Sequence, residues 1–95
     1  MNFEFSGKIF HWRGPAPYLF VAVSPKQSNE IKAVSGLVTY GWGVIPVHVR
    51  IGRTEFTTSL FPKDGKYLVP IKMLVQKAEN VKEGDTVRIR LEIRF

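Results

Sequence analysis

The sequence predicts a mostly-β protein, a small closed barrel of six or seven strands with two short helices. Three observations carry that expectation. Several stretches alternate apolar and polar residues with period two, most clearly Val87, Ile89, Leu91 and Ile93 against Arg88, Arg90, Glu92 and Arg94. Turn-forming pairs separate the stretches, chiefly Gly52-Arg53 and Asp64-Gly65. Only two segments carry helical signals. At 95 residues the chain reads as one domain, 1–95. A domain this small buries about 60–65% of its unfolded surface, which implies a stability of about 5–10 kcal/mol.

From Phe3 to Trp12 the residues alternate, with Phe3, Phe5, Gly7 and Ile9 on one face and Glu4, Ser6 and Lys8 on the other. His11 continues the apolar face, while Phe10 and Trp12 point the opposite way. Gly14-Pro15-Ala16-Pro17 stops pairing, since each proline lacks a donor and fixes φ. Tyr18 to Val23 is a continuous apolar run of strand length, as expected for a strand buried on both sides.

Ser24-Pro25-Lys26-Gln27 starts a helix, with Ser24 as N-cap, Pro25 in the first turn and Gln27 completing a capping box. Ile31 and Val34 face inward, and Gly36 is placed to end the helix, which is expected over 25–35. Gly41-Trp42-Gly43 sets an indole between two hinges. Val47, Val49 and Ile51 then face one way, His48 and Arg50 the other. Gly52-Arg53 is a glycine-first hairpin turn, returning through Phe56, Thr58 and Leu60.

Pro62 to Lys66 is a turn around Asp64-Gly65, and Tyr67 to Ile71 is again an apolar strand. Lys72 to Asn80 carries Met73, Leu74 and Ala78 at helical spacing, leaving Lys72, Gln76, Lys77 and Glu79 for solvent. Lys82-Glu83-Gly84-Asp85 turns into the last strand. The order repeats loosely. Each half offers a strand, an apolar strand opening Tyr-Leu (Tyr18-Leu19, Tyr67-Leu68), a helix and an alternating strand. Two such halves clasped about a pseudo-two-fold axis would close one barrel and remove its exposed edges.

Over nearly the whole chain three motifs occur in order. They are Gly14-Pro15-Ala16-Pro17-Tyr18 with Phe20-Val21; Gly41-Trp42-Gly43 with Val47 and Ile51-Gly52; and Thr58-Ser59-Leu60-Phe61-Pro62 with Gly65, Tyr67-Leu68, Pro70, Lys72 and Glu83-Gly84-Asp85. On these motifs the chain resembles the bacterial family catalogued as domain of unknown function 1905. The resemblance implies a double-split β-barrel, the fold class of the AbrB and MazE transcription-factor domains, and it implies no established activity. Some relatives carry an appended segment similar to bacteriocin-protection proteins. This chain ends at Phe95, and a role carried by that segment is expected to be absent.

Composition narrows the chemistry. With no cysteine there is no disulfide framework, iron–sulfur cluster or thiolate zinc site. His11 and His48 stand far apart, without clustered ligand spacing, so neither a metal nor a cofactor is expected. No Gly-x-Ser-x-Gly elbow accompanies the serines. Asp64, Glu79, Glu83 and Asp85 sit in turns or on a helix, with Asp85 read as bonding nearby backbone N–H groups. Gly41-Trp42-Gly43 lacks the strand–GxGxxG–helix context of a phosphate loop, and Trp42 is more simply a plug at the barrel end. An enzyme is therefore the weakest reading, with a hydrolase as its form.

Basic and aromatic residues point elsewhere. Fourteen Lys+Arg against eight Asp+Glu give a formal charge of +6, and a pI near 9.9, which favours anionic partners. Trp12, Arg13, Tyr18, Trp42, Arg50, Lys63 and Lys72 fall at loops or strand ends, where a basic and aromatic rim could stack a planar ligand and neutralise its phosphate. The plainer role of those aromatic rings is to cover the barrel ends. Arg88, Arg90 and Arg94 share one strand face, spaced roughly 7 and 13 Å apart, a phosphate-like repeat that Glu92 interrupts. A solvated face paired with acidic neighbours is the more usual origin of such a stripe. The expected function is a non-enzymatic binding module for nucleic acid or another anionic ligand through basic and aromatic loops; the alternative is a small-molecule or peptide-binding barrel using the aromatic loops. No stretch approaches the roughly 18 apolar residues of a membrane span. The N-terminal residues lack a secretory pattern, so a cytoplasmic monomer or small homo-oligomer is expected.

Overall fold

A computed structural model describes residues 2–12, 18–38 and 44–94, with only the backbone described at 18 and 35–38. The elements are β1 (Asn2–Lys8), β2 (Phe10–Trp12), β3 (Tyr18–Ala22), α1 (Pro25–Val38), β4 (Ile45–Ile51), β5 (Thr54–Lys63), β6 (Lys66–Ile71), α2 (Met73–Glu79) and β7 (Thr86–Ile93). The protein is mostly β. Its seven strands form one curled, half-barrel sheet in the order β1-β7-β4-β5-β6-β3-β2, each neighbour antiparallel to the next.

Alternation explains most of the sheet. Val47, Val49 and Ile51 of β4 and Val87, Ile89, Leu91 and Ile93 of β7 are buried in the concave core with Phe3 and Phe5 of β1. Their alternate neighbours point to solvent, so pattern and burial agree residue by residue. Both hairpins turn where glycine permits. Gly52 takes φ 60, and Asp64-Gly65 takes φ 51 and 77, the paired positive values of a two-residue turn whose twist matches the strands. Pro62 and Lys63 therefore belong to β5 rather than to the turn.

Four local expectations need correcting. Helix α1 continues through Gly36 to Val38 instead of ending at residue 35; a glycine inside a helix costs only about 1 kcal/mol. Ser24 does cap α1, with Gln27 N donating to Ser24 Oγ at 3.3 Å. The Gln27 side chain, however, accepts from Ser24 Oγ and donates to the Glu4 carbonyl of β1 at 3.1 Å, so it ties helix to sheet rather than closing a capping box. On α2 the buried residue is Val75, while Met73 and Leu74 are 66% and 76% exposed. His11 is exposed and does not extend the core, because pairing passes from β7 to β3 around Ile9, and Phe10 and Trp12 become the half-buried residues.

Two polar contacts lock the helices. Buried Ser28 of α1 donates to the Val23 carbonyl at 3.3 Å and accepts from Tyr67 N at 3.2 Å, which satisfies a buried hydroxyl on both sides. Glu79 of α2 accepts from Thr54 Oγ1 at 2.5 Å and from Arg53 N at 3.3 Å across the β4–β5 hairpin. A Cβ on Gly52 would lie 2.0 Å from Glu79 Oε1, so the hairpin tip needs glycine for space as well as for φ.

Candidate functional site

Register brings the charged residues together. The convex face of β1, β7, β4 and β5 carries the outward residues of four alternating strands. One row across it reads Glu4, Arg90, Arg50 and Glu55; the next reads Asn2, Glu92, His48 and Thr57. Arg88 sits beside Ser6 on the other side of the first row.

Glu4 is the hub of this face. Its Oε1 accepts from Arg88 Nε at 2.7 Å and from Arg88 Nη2, and its Oε2 accepts from Arg90 Nε at 3.1 Å. The Arg88 hydrogen bond, then that of Arg90, holds the Glu4 carboxyl below the usual carboxylate range. Arg88 and Arg90 keep 74% and 68% of their side chains in solvent, leaving much of each guanidinium open.

Arg50 stands directly opposite Arg90 on the neighbouring strand. Its Nε donates to the Gly52 carbonyl at 3.1 Å, and among the described residues no carboxylate pairs with it. His48 Nε2 lies 3.4 Å from Glu55 Oε1, with both side chains well exposed at 39% and 59%. A groove of about 450 Å³ runs among Glu4, His48, Arg50, Glu55, Arg90 and Glu92. A smaller one of about 290 Å³ shares Arg50 and Arg90 with it and extends to Arg88 and Gly52.

The other sequence-derived candidates are not gathered here. Trp12 packs edge-on against Phe20, ring centroids 5.3 Å apart, and Lys63 Nζ lies 5.3 Å from its ring centroid. Lys63 also pairs with Asp64 at 2.8 Å, which lowers the Asp64 carboxyl from its ordinary value. Lys72 Nζ donates to the Thr57 carbonyl at 2.7 Å, and Arg94 is exposed beyond the end of β7. Arg13 and Trp42 lie outside the described residues, and of Tyr18 only the backbone, paired with Trp12, is described. The described part of the expected aromatic and basic rim is thus divided, Arg50 on the charged half of the sheet and Trp12 with Lys63 on the other. Glu4, Glu55 and Glu92 were missed as site residues. Alternation already turned Glu4 and Glu92 outward, but only the pairing of the first strand with β7 sets Glu4 between two arginines.

Among the described residues no group of three or more His, Asp or Glu is placed to hold a metal ion, and no described helix is long and apolar enough to cross a membrane. Asp85 accepts from Lys82 N at 2.9 Å, the turn role its position predicts.

The family model for the domain of unknown function (DUF1905) matches residues 5–91, nearly the whole chain. The chain belongs to this family. The match takes in all nine secondary-structure elements in whole or part, from Phe5 of β1 to Leu91 of β7, so Arg50, Arg88 and Arg90 of the charged face lie within the matched residues and Glu4 and Glu92 lie just outside them. The comparison with curated proteins returns no match.

Proposed function

We propose that the protein is a non-enzymatic binding module for a phosphate-type anion, held on the convex face by Arg50, Arg88 and Arg90. The observation that carries this is the direct opposition of Arg50 and Arg90 on adjacent antiparallel strands. Like charges in that position repel; of the two carboxylates that end the row, Glu4 is engaged by Arg88 and Arg90 on the far side, and Glu55 lies beside His48. An anion seated between the two guanidiniums would relieve the repulsion, and exposed guanidinium groups bind phosphate oxygens in pairs. Such a phosphate belongs either to nucleic acid or to a small molecule.

Fluorescence anisotropy of labelled single-stranded and duplex oligonucleotides at about 50 and 200 mM salt tests the reading, with inorganic pyrophosphate as competitor. Salt-sensitive binding that pyrophosphate displaces and Arg50→Gln weakens is expected. Binding unaffected by Arg50→Gln and Arg90→Gln, or absent for every phosphate probe, would overturn it. The aromatic alternative, a small-molecule or peptide site around Trp12, ranks second because Lys63 and Phe20 already occupy that ring.

The same reading takes the finer fold to be a closed double-split barrel with an internal two-fold, cytoplasmic in setting. Its support is a symmetry of the pairing. Exchanging β1–β2 with β5, β3 with β6 and β4 with β7 carries β1–β7 onto β5–β4 and β2–β3 onto β5–β6, while β3–β6 and β4–β7 map onto themselves. Closure would then run through Ile9, where β1 hands over to β2.

A further inference from the structure

We infer that the groove takes a compact ligand bearing an amine as well as a phosphate-type anion; this rests on the anion-binding reading above. Two unpaired opposite charges carry the inference. Arg50 presents its terminal guanidinium nitrogens with no carboxylate partner among the described residues, its Nε being used by the Gly52 carbonyl. Glu92 likewise has no hydrogen-bond or ion-pair partner there, and the residues facing it across the ladders are Asn2 and His48. Arg50 and Glu92 are diagonal neighbours on adjacent strands, about 7–8 Å apart at the backbone, and both line the groove of about 450 Å³. That volume lies at the small end of ligand pockets.

The acids also say what the ligand is not. A polyanion laid along β7 over Arg88 and Arg90 meets Glu92 at the next outward position, roughly 7 Å further on, where its next phosphate would fall. Glu55 closes the row beyond Arg50 and is already beside His48. A positive group placed at Glu92 turns that repulsion into attraction. An exposed ion pair of this kind is modest in strength, so its contribution is to selectivity between phosphates rather than to bulk affinity.

Calorimetric titration with 3-aminopropyl phosphate and with propyl phosphate, which differ only in the amine, tests this on the intact chain and on Glu92→Gln and Arg50→Gln. The aminated compound is expected to bind roughly three- to fivefold more tightly to the parent, the scale of one exposed ion pair. In Glu92→Gln that ratio should fall to about one, and in Arg50→Gln both compounds should weaken. Equal affinities in the parent, or a ratio that survives Glu92→Gln, would overturn the amine pole and leave the anion site standing. Binding of neither phosphate, at any salt, would overturn both.

Discussion

The two halves of the convex surface are built from the same sheet and differ in almost everything else. Over β1, β7 and β4 the outward residues are mostly polar or charged, and most of them are exposed. Over β2, β3 and β6 they are Phe10, Phe20, Leu68 and Pro70, and Phe20 is 1% exposed although it stands outside the main core. Phe20 faces Phe10 and Pro70 across its two ladders, and Trp12 and Phe61 stack edge-on to it at 5.3 and 6.3 Å. The long strands pass from one regime to the other. Along β5 the outward series runs Glu55, Thr57, Ser59, Phe61; along β1 and β2 it runs Glu4, Ser6, Lys8, Phe10, Trp12. A single strand can therefore serve a solvated face at one end and a second apolar layer at the other, with no change of register.

The sharpest way to break the contrast is to empty the aromatic half. Phe20→Ala should lower stability by about 3–5 kcal/mol, as for a fully buried phenylalanine, read from urea denaturation; a loss near zero would mean that this layer does not pack. Next in size is Gly7→Val, at the point where β1 passes β3. A Cβ on Gly7 would lie 2.6 Å from Val21 Cγ1, a clash with a stiff β-branched side chain in the core. A cost of about 1–3 kcal/mol is expected by thermal melting.

On the charged half the same measurements should barely move. Arg50→Gln should stay within about 0.5 kcal/mol of the parent while weakening phosphate binding, and a large stability loss would reclassify Arg50 as structural. The smallest effect on folding is that of Glu4→Gln, and it shows in pH dependence. Because Arg88 and Arg90 lower the folded-state pKa of Glu4, its contribution to stability is present above the ordinary carboxylate pKa and is lost as pH falls through the lowered value. The variant should lose that part of the acid sensitivity and, with both guanidiniums released, bind pyrophosphate more tightly. An unchanged acid limb would show that the bridge does not persist in solution.

How much of this was legible in the sequence follows the same divide. Where one face meets water, alternation states the facing of each side chain, so β4 and β7 and their outward arginines could be read directly. The partnership of Glu4 with Arg88 and Arg90 joins residues 84 and 86 positions apart, and no local pattern encodes it. Helix α2 was misread for a related reason. With only seven residues, its rotation is set by polar anchors, Gln76 donating to the Ile71 carbonyl at 3.0 Å and Glu79 holding the hairpin, rather than by an apolar stripe. Met73 and Leu74 are left outside. In β3 the continuous apolar run did announce burial on both sides, but nothing in it named Trp12 and Phe61 as the cover.

The pairing of β1 with β7 also bears on how the chain is made. The first strand leaves the ribosome with its neighbour unsynthesised, and Asn2 must wait for Glu92. At about 5–20 residues per second that interval is roughly 4–18 s, during which β1 offers an open edge to any other nascent chain. Glu4 and Lys8 put opposite charges on its outward side, a guard against such edge-to-edge association. The carboxylate that protects the newborn strand is the one that Arg88 and Arg90 later claim.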